Sequence, residues 1–224
     1  VMTAEVFLTY LPVSALYILS MTLGYLGLRY IELSISSPIC NTSGAVVVVL
    51  YLISGETIEA AQLLAVAFIG IGVLMLGVVQ MTEDETLRLA RQETSNRKYA
   101  KSLIALLIPI AYCLIDAAGT YADGIVLETL DENAANAAYE LTFLLCALAS
   151  FVYVKLIKKQ KFFPGQEAPK YIGALFETGG QLAYIFALSS NAMLAAPVIS
   201  CYCALSVVWS RVFLKEKLGW KHYL

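Results

Sequence analysis

The sequence has little charge for its length. It contains 224 residues, of which 14% are charged and 59% are hydrophobic, and its mean hydropathy is +0.73. Soluble domains carry about 25% charged residues, because charge covers a surface that faces water. A chain with so few charges needs another solvent around most of its surface, and lipid is that solvent. The composition therefore predicts an integral membrane protein.

The sequence has few residues that bind metal ions. Its one histidine is His222, and its five cysteines show no Cys-x-x-Cys spacing. We therefore expect no metal site and no cofactor. We also expect no catalytic residues, because a lone histidine supplies neither a nucleophile–base set nor a metal cluster. The sequence lacks a G-x-x-x-x-G-K-[ST] loop, which binds the phosphates of ATP, so ATP hydrolysis by this chain is excluded as an energy source. The net charge of −2 excludes a strongly basic nucleic-acid binder.

Long apolar runs fill most of the sequence. A helix needs about 20 apolar residues to cross the core of a bilayer. Runs of that length predict seven helices, at residues 7–28, 31–53, 60–80, 102–123, 135–157, 171–189 and 192–214. Several of the turns between them are very short, so neighbouring helices are antiparallel. The sequence thus predicts an all-α, polytopic transmembrane helix bundle in the cell membrane.

Two segments of the sequence look alike. Residues 26–39 align without gaps on residues 185–198, and each copy continues through an apolar stretch to a glutamate. The proline and the glutamate of the two copies are Pro38 with Glu56 and Pro197 with Glu216. The prolines sit where a membrane helix can bend and expose backbone groups to a cavity. We expect these four residues and Gly55 to have structural roles.

A polar stretch at residues 82–101 separates the two halves of the sequence. It divides the chain into a first repeat at residues 1–81 and a second at residues 102–224. Repeats of this kind are typical of transporter folds, and copies with an odd number of helices lie inverted in the membrane.

The repeated segments resemble the EamA-type members of the drug/metabolite transporter superfamily. The likeness is carried by SISSPICNTSGAVVVVLYLISGETIEAAQLLAVAFIGIGVLMLG (34–77) and AMLAAPVISCYCALSVVWSRVFLKEKLGW (192–220). Both resemble the family's pattern of small residues, a proline, a long apolar helix and a glutamate turn. The second turn departs from the pattern, since Lys215 stands where the first copy has Gly55.

The resemblance has implications for architecture and function. It implies that the seven predicted helices are helices three to nine of ten, so we expect a fragment that lacks terminal helices. It also implies a secondary transporter, with proton-coupled export of small metabolites or drugs by alternating access. The implied partners are a small-molecule substrate and the lipid bilayer, and a homodimer is left open.

Asp116 is an acid in the middle of a predicted span. A charge at bilayer depth costs at least about 2.5–3.5 kcal/mol, so such acids are rare and often functional. Tyr112, Thr120 and Asp123 lie at helical spacing from Asp116 and share its face. We interpret Asp116 and Tyr112 as part of a substrate or proton site. The alternative is that a neighbouring helix satisfies Asp116 or that it lies near an interface.

Glu177 is the second acid within a span. Gln181 and Tyr184 follow at i+4 and i+7, which gives one polar stripe on an apolar helix. Gly179 and Gly180 would allow close approach of another helix. The resemblance implies that Asn41 lies on the cavity wall with both acids. The alternative is a helix–helix hydrogen bond without a transport role.

Two other functions stay open. A membrane-embedded enzyme would use an acid pair such as Asp116 and Asp123, whereas a membrane scaffold would tolerate replacement of both acids.

The orientation of the helices in the membrane also stays open. The loops that carry most of the lysine and arginine residues belong in the cytoplasm by the positive-inside rule. The family picture, with both termini cytoplasmic, would place the same loops outside.

Overall fold

The structure is a computed structural model that describes residues 3–57, 59–82, 103–161, 163–216 and 220–222. Within these ranges all regular structure is helical. The helices are α1 (Ala4–Gly27), α2 (Leu33–Cys40), α3 (Ser43–Ile53), α4 (Ala60–Thr82), α5 (Leu103–Leu127), α6 (Glu132–Val152), α7 (Pro164–Ser200) and α8 (Cys203–Trp209). Short π-helical turns follow α6 over Tyr153–Ile157 and α8 over Ser210–Leu214, and a 3-10 turn covers Trp220–His222. The predicted linker lies, apart from Thr82, outside the described residues.

Five of the apolar helical segments are long enough to cross a membrane. They are Ala4–Gly27, Leu33–Ile53, Ala105–Leu127, Glu132–Ile157 and Glu167–Leu214. Their number and length indicate a multi-pass membrane protein. The prediction of an all-α bundle is thus confirmed for the described part of the chain, but the count of seven spans is not. The sixth and seventh predicted spans fall in one 48-residue apolar stretch. The third falls in α4, in which the described apolar segment is the shorter Leu63–Gly72.

Two of these long segments are interrupted inside the apolar stretch. Leu33–Ile53 breaks at Asn41 and Thr42, between α2 and α3. Helix α7 contains a non-helical residue at Asn191, with φ −168° and ψ 96°. The Asn191 side chain accepts a hydrogen bond from the Leu194 backbone N–H at 3.0 Å, as an N-cap does. A second helical stretch therefore begins at Asn191, where the sequence predicts a turn.

Small residues bring α1 and α5 together. A Cβ atom on Gly24 would lie 3.0 Å from the Tyr112 ring, and one on Gly27 would lie 3.2 Å from Ile108. Gly119 of α5 approaches Leu16 of α1 in the same way, at 3.3 Å. Close backbone approach of this kind is how membrane helices pack without a hydrophobic driving force.

Among the described residues, no neighbouring helix uses the close approach that Gly179 and Gly180 allow. No atom lies within 4 Å of a Cβ built on either glycine. The tight contact with α7 lies further along the helix. There a Cβ on Gly44 of α3 would lie 2.6 Å from the Ala196 carbonyl oxygen. The sequence did not distinguish these glycines, because all of them lie in apolar helices.

Both predicted glutamate turns contain a left-handed residue. Gly55 follows α3 with φ 94°, and Lys215 follows the π-helical turn after α8 with φ 57°. The next residue is Glu56 in the first turn and Glu216 in the second. Lysine thus adopts the conformation that glycine adopts more readily.

The two glutamates have different surroundings. Glu56 is exposed, whereas Glu216 is 1% exposed. One Glu216 carboxylate oxygen accepts hydrogen bonds from the Ser34 backbone N–H at 3.1 Å and the Ser34 hydroxyl at 3.0 Å. The other accepts from the Leu33 N–H at 3.4 Å. Glu216 therefore caps the N-terminus of α2, where a negative charge is favoured by the helix dipole.

Candidate functional site

A cavity of about 680 Å³ lies between α1, α2, α3, α5, α6 and α7. All six residues predicted for a substrate or proton site line it: Asn41, Tyr112, Asp116, Glu177, Gln181 and Tyr184. They come from distant parts of the sequence, so the fold brings them together. The volume is in the range of sites that bind small organic molecules.

Asp116 lies on the α5 wall of this cavity. Its Oδ1 atom is 3.3 Å from the Ser20 hydroxyl oxygen of α1, which donates to it. The same hydroxyl lies 2.9 Å from the Tyr17 carbonyl oxygen. A serine has one proton to donate, so Asp116 shares this donor and keeps acceptor capacity toward the cavity.

Glu177 and Gln181 face Asp116 from α7. Glu177 is exposed and lines the cavity, so a solute in the cavity can contact its carboxylate. The Gln181 Nε2 atom is buried and has no hydrogen-bond partner in the described structure. A buried amide N–H without a partner is costly, and a polar solute in the cavity would satisfy it.

Asn41 occupies the break between α2 and α3. Its side-chain amide donates to the Ser37 carbonyl oxygen at 2.9 Å and to the Ser37 hydroxyl at 3.3 Å. The Ser37 hydroxyl also hydrogen-bonds the Ser206 hydroxyl of α8. These contacts hold the broken helix in shape, and the Asn41 side chain also hydrogen-bonds Tyr202, another residue of the cavity wall.

Tyrosines form much of the remaining wall. The lining tyrosines are Tyr17, Tyr25, Tyr112, Tyr139, Tyr184 and Tyr202. Tyr17 packs edge-on against Tyr139, with ring centroids 5.9 Å apart, and against Tyr184, at 6.3 Å. Of the six, the sequence predicted only Tyr112 and Tyr184. Tyr10 and Tyr17, seven residues apart on one face of α1, were the signal that could have identified Tyr17.

Asp123 belongs to a different environment from Asp116. It shares the helix face, as the spacing predicted, but it is 0% exposed and is not a lining residue of the cavity. Its Oδ1 atom accepts from the Tyr10 hydroxyl at 2.9 Å and its Oδ2 atom from the Tyr17 hydroxyl at 3.0 Å. The sequence missed this arrangement, because Tyr10 and Tyr17 are more than 100 positions away.

The residues predicted to be structural lie outside the cavity lining. Pro38 and Pro197 are within α2 and α7, respectively. Gly55, Glu56 and Glu216 lie in the two turns already described. The prolines mark the helices that are interrupted three or four residues later, at Asn41 and at Cys201.

The side chains provide no obvious metal centre. Within the described ranges, no three His, Cys, Asp or Glu side chains are grouped so that they would hold a metal ion. The cavity offers two carboxylates, an amide and phenol groups, which can bind a polar or cationic organic solute and exchange protons. No protein-family model matches the chain, and neither a curated protein nor a solved structure matches it.

Proposed function

We propose that the protein is a secondary active transporter of small organic metabolites or drugs. In this proposal solute export is coupled to protons, and the protein is of the EamA type and lies in the cell membrane. The observation that carries this proposal is that Asp116, Glu177, Gln181 and Tyr184 line the same cavity. Carboxylates in hydrocarbon-length helices are expensive unless they pair or line a hydrated space.

Local features of the two similar segments support an internal repeat. Each has an N-terminal cap position, at Glu32 and Asn191, followed six residues later by a proline. Each is interrupted by two residues, at 41–42 and at 201–202, before a second helix begins. Broken helices in corresponding positions of two repeats mark the substrate site in many transporters.

The different surroundings of Glu56 and Glu216 support alternating access. If the segments are copies, a symmetric protein would place both glutamates in the same environment. Here only Glu216 is buried, at the N-terminus of α2, whereas Glu56 is exposed. A transporter with two pseudo-symmetric halves is asymmetric in any one state, since the halves exchange roles between states.

The chemistry of the lining favours solutes that carry a positive charge or hydrogen-bonding groups. The charged side chains among the described lining residues are Asp116 and Glu177, and both are acids. Tyrosine faces attract cations, and the Gln181 amide N–H can donate to a solute. The substrate itself is not specified by these features.

The test is transport by the complete protein in proteoliposomes. Asp116→Asn or Glu177→Gln should abolish proton-coupled solute flux without unfolding the protein. The matched control is Glu140→Gln, since Glu140 is also in a long apolar helix but does not line the cavity. Unchanged flux in both cavity variants would reject the proposal, and so would equal losses in the control.

A further inference from the structure

Asp123 is a buried carboxylate that the proposed substrate cavity does not use. It lies on α5, two turns after Asp116, and its side chain is 0% exposed. Both of its oxygens accept hydrogen bonds from phenols of α1, Tyr10 at 2.9 Å and Tyr17 at 3.0 Å. This carboxyl group is buried within a membrane helix bundle and is hydrogen-bonded at both oxygens. Acids in such positions of transporters form proton relays.

The surroundings of Asp123 contain tyrosines from four other helices. Among the described residues, these titratable neighbours are Tyr10 and Tyr17 of α1, Tyr51 of α3, Tyr139 of α6 and Tyr184 of α7. On its own helix the nearest acid is Asp116. Because a phenol can both donate and accept, this shell accommodates the carboxyl group with or without its proton.

A chain of hydroxyl groups joins Asp123 to the cavity. The Tyr184 hydroxyl oxygen, which lines the cavity, is 2.7 Å from the Thr120 hydroxyl oxygen. Thr120 is 3.4 Å from the Tyr17 hydroxyl oxygen, and Tyr17 contacts Asp123. The Tyr17 hydroxyl donates both to the Thr120 oxygen and to the Asp123 carboxylate, and Tyr17 itself lines the cavity. Tyr17 therefore contacts both the cavity and Asp123.

We propose that Asp123 is a proton-binding site of this protein, reached from the cavity through the hydroxyl of Tyr17. A hydronium ion in the cavity gives a proton to the Tyr17 oxygen and becomes water, while Tyr17 passes its own proton to the Asp123 carboxylate. Tyr17 ends with one proton, and Asp123 becomes a neutral carboxylic acid.

This assignment separates two tasks within the proposed transport function, on which it rests. Asp116 and Glu177 contact the solute, while Asp123 holds the coupling proton out of its reach. The separation predicts that proton coupling and solute exchange respond to different substitutions. A residue with only a structural role would not separate them.

The first test compares two transport assays of the complete protein in proteoliposomes. Asp123→Asn should lower solute accumulation driven by a pH gradient at least tenfold, while solute counterflow at equal pH stays within twofold of wild type. Tyr17→Phe, which keeps the ring but removes the hydroxyl that donates to Asp123, should also lower accumulation driven by a pH gradient.

The outcomes of this test distinguish the two proposals. Wild-type accumulation in Asp123→Asn, or an equal fall of both assays, overturns the proton site and leaves the transporter proposal standing. Absence of both activities in the wild-type protein rejects the transporter proposal instead.

The second test is independent of transport. Infrared difference spectra across a pH jump should show a protonated carboxyl band above about 1,700 cm⁻¹ in wild type that is missing in Asp123→Asn, because protonation turns a carboxylate into a carboxylic acid. Asp116→Asn should retain this band. A spectrum of Asp123→Asn identical with that of wild type overturns the assignment.

Discussion

At the residue scale, the backbone of Lys215 departs from a relaxed chain, as does that of Lys159, with φ 51°. The φ of 57° and ψ of 26° of Lys215 place it in the left-handed region, in the turn before the buried Glu216. For a residue with a Cβ atom, the left-handed conformation costs about 1–2 kcal/mol. Gly55 shows that glycine stands at the same point of the other glutamate turn, with φ 94°.

Lys215→Gly should therefore stabilise the folded protein. We expect the free energy of unfolding in detergent to rise by about 1 kcal/mol, because glycine adopts the left-handed region without a clash. The control is Lys170→Gly in the helical part of α7, which should lower the same quantity by about 1 kcal/mol. A destabilised Lys215→Gly protein would show that the lysine side chain makes a contribution larger than the strain.

At the scale of helices, close contacts and caps determine which elements hold the cavity walls. Helix α3 touches α7 through Gly44, where a Cβ would lie 2.6 Å from the Ala196 carbonyl and would also collide with the Ser200 side chain. The N-terminus of helix α2 is capped by the carboxylate of Glu216, which lies near the other end of the described chain.

Gly44→Ala should loosen the contact between α3 and α7. A backbone carbonyl cannot rotate away as a side chain can, so we expect a loss of about 1–3 kcal/mol, as for other overpacked sites. Gly179→Ala is the matched control, because a Cβ there meets nothing within 4 Å. Thermal unfolding in detergent measures both variants. Equal unfolding midpoints for Gly44→Ala and wild type would contradict the packing described for this interface.

Glu216→Ala should weaken the start of α2 far more than Glu56→Ala weakens any helix. The first change leaves the Ser34 N–H and hydroxyl without their acceptor in a buried place, and hydrogen bonds to charged groups contribute about 1.5–3 kcal/mol. Glu56 is exposed, so its removal should change the free energy of unfolding by no more than about 0.5 kcal/mol. Hydrogen exchange of the α2 amides measures the effect locally. Equal exchange rates in the two variants would be inconsistent with the cap.

At the scale of the whole molecule, composition and hydropathy were enough to predict helices, and spacing was enough to predict which side chains share a helix face. Asp116 and Tyr112 lie one turn apart, as do Glu177 and Gln181, so each pair occupies one helix face. The structure adds that these faces point into one space. That the faces meet follows from packing of distant helices, which helical spacing does not contain.

The features that the sequence did not predict all depend on such long-range packing. Asp123 meets Tyr10 and Tyr17 across more than 100 positions, and Glu216 meets Ser34 across 182. Gly44 and Gly179 look alike in sequence and differ only in what lies opposite them. The interruption at Asn41 was also missed, because the apolar run continues through it. The break is stabilised by the local hydrogen bonds from Asn41 to Ser37 and by the contact of Ser37 with Ser206 of α8.

The central claim is that the cavity opens to each side of the membrane in turn. The most direct measurement is reaction of Gly180→Cys with a membrane-impermeant maleimide, in the complete protein with its native cysteines replaced. Gly180 lines the cavity and has open space around its Cα, so a cysteine fits there. The account predicts labelling from either face of sealed vesicles, with a ratio that shifts when solute is added, whereas Glu56→Cys in an exposed turn reacts from one face only. Reaction of Gly180→Cys from a single face, with and without solute, would contradict it.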